Sequence, residues 1–220
     1  MENDQLYKIK NLFTWPTDIP DAPDDTHNWA FSESHETGFS YLIKTLNPKI
    51  ILEIGSWMGM GSTTYMLKNS PESHLIALDH WSDNKEDFVG THYPMWNVER
   101  DYHHIKNIWN KFLKNTWEYR DRLTPLRMFS SEGLEVLNKM NLDIDLIYLD
   151  ADHGYDSVMY ELDKCSTYWP DATLCGDDYL WMDKSVKRAV HTYGDKHNLK
   201  VNVVGLRFWF YTKKLNSKMI

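Results

Sequence analysis

Ile50-Ile-Leu-Glu53-Ile-Gly55-Ser-Trp57-Met-Gly59-Met-Gly61-Ser-Thr-Thr64 opens with a short β-branched apolar run, acceptable only as a buried strand. The run ends in Glu-x-Gly and turns through three glycines. A helical spacing then resumes at Thr64, Tyr65 and Leu67. A strand that turns on glycines into a helix brings backbone N–H groups and a helix N-terminus against a ligand. Read from Gly55, the spacing is G-x-x-x-G-x-G. Dinucleotide-binding folds use G-x-G-x-x-G, because the backbone must approach a pyrophosphate closely. Here an acid precedes the first glycine by two residues and the pyrophosphate-side glycine is missing, which speaks against NAD.

The next apolar strand, His74-Leu-Ile-Ala-Leu-Asp79, closes on a carboxylate about two dozen residues after Gly55. In doubly wound folds an acid at the end of the second strand sits where ribose hydroxyls arrive. Asp79 therefore points to a nucleoside ligand without choosing which. A helix cap is its plainer alternative.

Composition fits one ordinary enzyme domain: 220 residues, 42% hydrophobic and 14% aromatic, enough for a substantial core. A formal charge of −8 and no long Lys/Arg run argue against nucleic acid as a partner. Lys184, Lys187 and Arg188 gather at helical spacing and read as a solvated face. No apolar run is long enough to span a bilayer, and Met1-Glu-Asn-Asp does not open a signal peptide, so no membrane partner is expected. Cys165 and Cys175 lack metal-ligand spacing and read as reduced core residues of a cytoplasmic protein.

Nothing divides the chain, so residues 1–220 read as a single domain. Residues 1–33 form an irregular N-terminal extension, marked by Pro16, Pro20 and Pro23. A helix is expected over Ser34–Leu46, ending before Asn47-Pro48. Strands are expected at Ile50–Ile54, Leu75–Leu78, Leu123–Met128, Asp145–Leu149, Ala172–Cys175, Lys200–Val204 and Phe208–Thr212. Helices fall around Thr63–Asn69, Ile105–Trp117, Glu132–Lys139, Ser157–Ser166 and Lys184–Asn198. Alternation of strands with helices means an α/β fold, a doubly wound and mostly parallel seven-stranded sheet. The last two strands are joined tightly at Gly205, so the final strand is antiparallel. Residues 80–104, rich in aromatics and histidines, are longer than the usual connection and read as a lid-like insertion. His80, His92, His103 and His104 within it lack a coherent metal-ligand spacing.

Two further strands end in acids: Asp145-Leu-Ile-Tyr-Leu-Asp150-Ala-Asp152-His153 and Ala172-Thr-Leu-Cys-Gly176-Asp177-Asp178. Ligands of open α/β sheets bind outside the carboxyl ends of the strands, so Asp79, Asp150, Asp177 and Asp178 share one crevice. Crowded carboxylates raise one another's pKa unless a cation is present. A hard divalent ion is the plain solution, Mg²⁺ first, with Mn²⁺ or Ca²⁺ as alternatives. Helix capping is the competing use of such acids, and Asp156 reads as a cap.

These residues carry a resemblance. Glu53-Ile-Gly55-Ser-Trp57-Met-Gly59, Asp79, Asp150-Ala-Asp-His153 and Gly176-Asp177-Asp178 resemble the class I S-adenosylmethionine (SAM) methyltransferases with a Rossmann-like fold. Within them the likeness is to the metal-dependent O-methyltransferases, which include catechol, caffeoyl-CoA and macrolide-sugar enzymes. Ser34-His-Glu36-Thr-Gly38-Phe-x-x-Leu42 is similar to the helix that opens the caffeoyl-CoA type, and the likeness spans Ser34 to Thr212. It implies that Glu53, Gly55 and Trp57 line the methionine part of SAM, Asp79 the ribose, and Ser131 the neighbourhood of adenine. Ser56, Gly59, His80, Glu132 and Asp150 complete the implied cofactor set. Asp150, Asp177 and Asp178 are the implied metal ligands. Where catechol-type relatives place a lysine base, this chain has His153, as the sugar-methylating relatives do.

The expected reaction is metal-dependent methyl transfer from SAM to a small-molecule hydroxyl, a sugar or glycoside first, with a catechol-like or other small-molecule acceptor as the alternative. Asp150 and His153 are its catalytic residues, with His153 as general base. A nucleic-acid methyltransferase is disfavoured, since Asp150-Ala-Asp-His stands where Asn/Asp-Pro-Pro-Tyr would. A non-catalytic SAM- or nucleotide-binding module would show a degraded acid set, and every carboxylate is present. A homo-oligomer is compatible with the sequence, which does not name the acceptor.

Overall fold

The computed structural model describes residues 2–25, 31–84, 87, 103–180 and 183–213. Its strands are β1 (Ile50–Ile54), β2 (His74–Asp79), β3 (Leu123–Arg127), β4 (Leu146–Leu149), β5 (Thr173–Gly176), β6 (Leu199–Val204) and β7 (Phe208–Lys213). They form one sheet in the order β3-β2-β1-β4-β5-β7-β6. The five strands from β3 to β5 pair in parallel, and β7 runs antiparallel to both neighbours. This is the doubly wound sheet with an antiparallel last strand that the sequence pattern calls for.

Period-two alternation assigns each strand residue to one of two cores. Leu52, Ile54, Ile76 and Leu78 face one core, together with helices α5 (Ser130–Asn138), α6 (Tyr155–Tyr168) and α7 (Ser185–Lys196). Ile51, Leu75 and Ala77 face the other, covered by α2 (Glu33–Leu46), α3 (Ser62–Asn69) and α4 (Ile108–Asn115). α2 buries His35, Phe39, Leu42 and Ile43, the spacing of an amphipathic face. Pro125 lies within β3, where a missing N–H is tolerated because β3 is a sheet edge.

The register sets the position of the site. Ile54 pairs with Leu78 and with Leu149, and Leu149 pairs with Gly176. The next residues, Gly55, Asp79, Asp150 and Asp177, therefore emerge as a row along the carboxyl edge. The backbone N–H of Gly55 donates to Leu78 O (2.9 Å), that of Asp150 to Ile54 O (2.8 Å) and that of Asp177 to Leu149 O (3.1 Å).

Several expectations are corrected. The first 33 residues are not wholly irregular: α1 spans Glu2–Lys10 and sinks Ile9 into the core. One buried residue per helix leaves little periodicity to read. Residues 11–25 have no regular structure, but Trp15 Nε1–H donates to Leu123 O (3.0 Å) and the buried Lys111 pairs with Asp25 at 2.9 Å. The helix expected over Ile105–Trp117 is interrupted by Asn107, left-handed at φ 60°, so α4 begins at Ile108. Asp156 is not a cap; it lies in the first turn of α6, whose N-cap is Gly154. Most of the lid-like insertion over 80–104 lies outside the described residues. No described helix is long and apolar enough to cross a membrane.

Candidate active site

The carboxyl ends of the central strands open into a cavity of about 910 Å³. This is near the upper end of the ~300–1,000 Å³ usual for small-molecule sites, room for a cofactor and an acceptor together. Gly55 decides its geometry. With φ at +88°, a Cβ there would lie 2.1 Å from the carbonyl oxygen of Asp150. Only glycine lets the turn after β1 rest on the end of β4.

Two acids hold that turn. The Asp79 carboxylate accepts the backbone N–H groups of Ser56 and Trp57 on Oδ2 and of Trp81 on Oδ1, each at 2.9 Å. Trp57 and Trp81 are left-handed, at φ 49° and 38°, a conformation costly for bulky residues and sustained here by these bonds. Glu53 is fully buried and accepts the hydroxyls of Ser56, Ser62 and Thr63, tying the turn to the first residues of α3. Burial, offset only in part by the three hydroxyls, pushes its carboxyl up to about 7.

The second acid group faces basic side chains. Asp177 faces His35 Nε2 at 2.9 Å and Arg207 at 2.9 Å, and Asp178 faces His153 Nε2 at 2.6 Å and Arg207. The Ser32 N–H donates to His35 Nδ1 (3.0 Å), which puts the ring proton on Nε2, toward Asp177. Burial opposes ionisation of Asp177, yet His35 and Arg207 outweigh it and hold its carboxyl down at about 2. Asp150, with 27% of its side chain exposed, lies 3.9 Å from His153 Nε2 and accepts the Tyr148 hydroxyl at 3.2 Å. Desolvation and the charges of Asp177 and Asp178 push Asp150 up to about 7. Burial disfavours charge on His153, but Asp150 and Asp178 outweigh it and hold the imidazole up at about 10. The Ser185 hydroxyl donates to the carbonyl of His153 and fixes its loop to α7. Ligand atoms of Asp150, His153 and Asp178 all lie within 4.8 Å of one another.

The model of the methyltransferase domain matches residues 52–179. This chain belongs to the methyltransferase-domain family. No curated protein matches this methyltransferase. Among solved structures it is similar to an O-methyltransferase from Bacillus cereus in complex with SAH (12% identity, TM-score 0.55, covering 96% of this chain and 90% of that one). It is also similar to TomG of Streptomyces achromogenes, an O-methyltransferase of tomaymycin synthesis in complex with SAM (11% identity, TM-score 0.59, 96% and 90%). A precorrin-6y C5,15-methyltransferase from Geobacter metallireducens matches as well (13% identity, TM-score 0.56, 91% and 100%). These likenesses show a shared fold, and they span more than one kind of acceptor.

Of the residues expected to serve the methyltransferase, Gly55, Ser56, Trp57, Gly59, Asp79, His80, Ser131, Asp150, His153, Asp177 and Asp178 line the cavity. Glu53 does not. It shares the sheet face of Ile51 and lies beneath the turn, where its oxygens are engaged by hydroxyls. Glu132 does not border the cavity either; it is one residue further into α5 than Ser131. Asp177 belongs to the row but is turned toward His35 and Arg207, so the tight cluster contains His153 in its place. The crowding of acids expected to require an outside cation is relieved in part by the protein's own. His35, Arg207 and Tyr148 were not singled out by sequence reasoning. Tyr148 had a signal, since period two puts it on the side of Asp150. Arg207, just past the tight turn at Gly205, and His35, far upstream, had none.

Proposed function

We propose that this methyltransferase moves the methyl group of SAM to a hydroxyl of a small molecule, with a sugar-like acceptor and a divalent cation in the acid cluster. The observation that carries the reading is the convergence of Asp150, His153 and Asp178 at the cavity that the glycine turn also lines. The Bacillus cereus and TomG structures, O-methyltransferases with SAH or SAM, support the donor and the acceptor atom. The acidic charge of −8 favours a small molecule over nucleic acid.

SAM fits the turn at Gly55–Gly61, with Asp79 toward its ribose, although backbone N–H groups already engage both oxygens of that carboxylate. The acid cluster fits a divalent cation through Asp150 and Asp178. Asp178 would have to share or release Arg207 and His153 to bind it, and Asp177 would have to give up Arg207 or His35. Two carboxylate ligands, with His153 left as the base, suit Mg²⁺ or Mn²⁺. When bound, such an ion lowers the pKa of a coordinated hydroxyl and fixes its orientation.

His153 is the general base. Held at about 10 by Asp150 and Asp178, it is protonated at neutral pH and accepts nothing. With a divalent cation held by Asp150 and Asp178, which would polarise the acceptor hydroxyl, His153 would be the residue placed to take its proton. Arg207 and His35 keep Asp177 ionised and in place, and the cavity walls align acceptor and donor, which supplies much of the rate. A catechol-like acceptor is the second reading, favoured by the aromatic wall of Phe31, Trp57 and Tyr160.

The test is a methyl-transfer screen over nucleotide-sugars, glycosides and catechols, with Mg²⁺, Mn²⁺ or chelator. Turnover of a glycoside is expected, lost in chelator and restored by metal. His153→Ala should lower kcat by ~10²–10⁴-fold with SAH affinity unchanged. Catechols far outrunning every glycoside would end the sugar assignment, and wild-type turnover by His153→Ala would end the base assignment.

A further inference from the structure

Glu161 is a carboxyl group for which the reaction above has no use. It lies on α6 with 3% of its surface exposed, yet it borders the cavity beside Ser157 and Tyr160 of the same helix. The other buried positions of α6 are Val158, Leu162 and Cys165, so packing gives no reason for an acid there. A buried carboxyl is costly unless it has a partner. The groups acting on Glu161 are the Ser130 hydroxyl at the start of α5, with Asp152 and His153 in the loop after β4. Burial, against Ser130, pushes its carboxyl up to about 7, leaving it able to accept and, as the acid, to donate.

The surroundings indicate what it faces. The glycine turn after β1 lies on one side of Asp79 and the end of β3 on the other, so a nucleoside whose ribose lies at Asp79 has the end of β3 within reach of its base. There His80 and Phe129 stack at 5.0 Å and 21°, and Phe129 is 52% exposed, a flat aromatic pair bordering the cavity. Ser130 follows directly and leads to Glu161. The site thus offers a base a stacking surface and a hydrogen-bonding edge.

We infer that Glu161, held by Ser130, recognises the amino edge of the cofactor's adenine. The inference rests on the SAM assignment above. Adenine presents an amino donor beside a ring acceptor, the complement of a carboxyl group. Hypoxanthine presents a carbonyl beside a ring N–H, the reverse order.

Calorimetry with S-adenosylhomocysteine and S-inosylhomocysteine tests this. Wild type should bind the adenosyl compound tighter by ~10-fold or more, the scale of a good paired contact to a base edge. Glu161→Gln, whose amide can turn to suit either edge, should bring the two affinities within about threefold. Ser130→Ala keeps the carboxyl but loosens it, and should reduce the preference by about threefold. Thermal unfolding checks that both variants are folded. No wild-type preference, or one that both variants retain in full, overturns the role of Glu161 and leaves the SAM assignment standing. Failure of wild type to bind S-adenosylhomocysteine overturns the cofactor and this inference together.

Discussion

The two acid centres along the sheet edge are satisfied in opposite ways. At the glycine turn, Glu53 and Asp79 accept from hydroxyls and backbone N–H groups, donors that belong to the turn itself. Further along the same sheet edge, Asp177 and Asp178 face Arg207, His35 and His153, and Asp150 keeps an open side. Neutral local donors fix a backbone shape, and removing one leaves a buried group without its partner. On the proposed function the first centre is a frame and the second the working surface, though both are built of acids at or near strand ends.

The sharpest break of this contrast is Asp150→Asn. It should cut turnover by ~10²–10⁴-fold, the range of a lost proton-transfer or metal-assisted contribution, with thermal stability close to wild type. Full turnover in the presence of chelator would make the second centre as structural as the first. Next in size is the pH response of Glu53. Its carboxyl rises from an ordinary 4.5 to about 7 on folding, so the folded state holds the proton more tightly. Relative to Glu53→Gln, wild-type stability should be fullest below pH 4.5 and decline by about 3 kcal/mol as pH rises past 7. Urea titrations of both proteins at either end of that window measure it; a flat or rising difference contradicts the burial of a high-pKa acid.

Asp79→Ala should weaken SAH binding by about 1–3 kcal/mol and also lower the melting temperature, because three N–H groups lose their acceptor. Weakened binding with unchanged melting would return Asp79 to a purely ligand-binding role. The smallest expected effect separates the paired acids. Asp178→Asn should reduce Mn²⁺ affinity by about tenfold, worth ~1.4 kcal/mol, and Asp177→Asn by much less. Equal losses would mean that Asp177 leaves Arg207 and His35 to join the metal.

The sheet was legible in the sequence because each strand is a short apolar run closed by a turn residue or an acid. β1 has the bounds that its composition implies, and the others shift by a residue or two. The row of acids was legible for the same reason, since strand ends share an edge. How each acid is partnered was not. The buried role of Glu53 depends on Ser62 and Thr63 folding back over it, and the setting of Asp177 depends on side chains from α2 and from the last hairpin. α1 escaped notice because one buried isoleucine makes no period. Asn107 broke the helix expected from Ile105 through local backbone geometry that hydrophobic spacing does not record.

Arg207 lies on β6–β7's connecting turn, and its backbone carbonyl also accepts the Tyr179 N–H at 3.0 Å. During synthesis, every acid of the cluster leaves the ribosome before its guanidinium partner does. A chain that stops before residue 207 carries Asp177 and Asp178 without the guanidinium that faces both in the folded protein. The ion pairs of the centre are thus completed by one of the last parts of the sheet to be made.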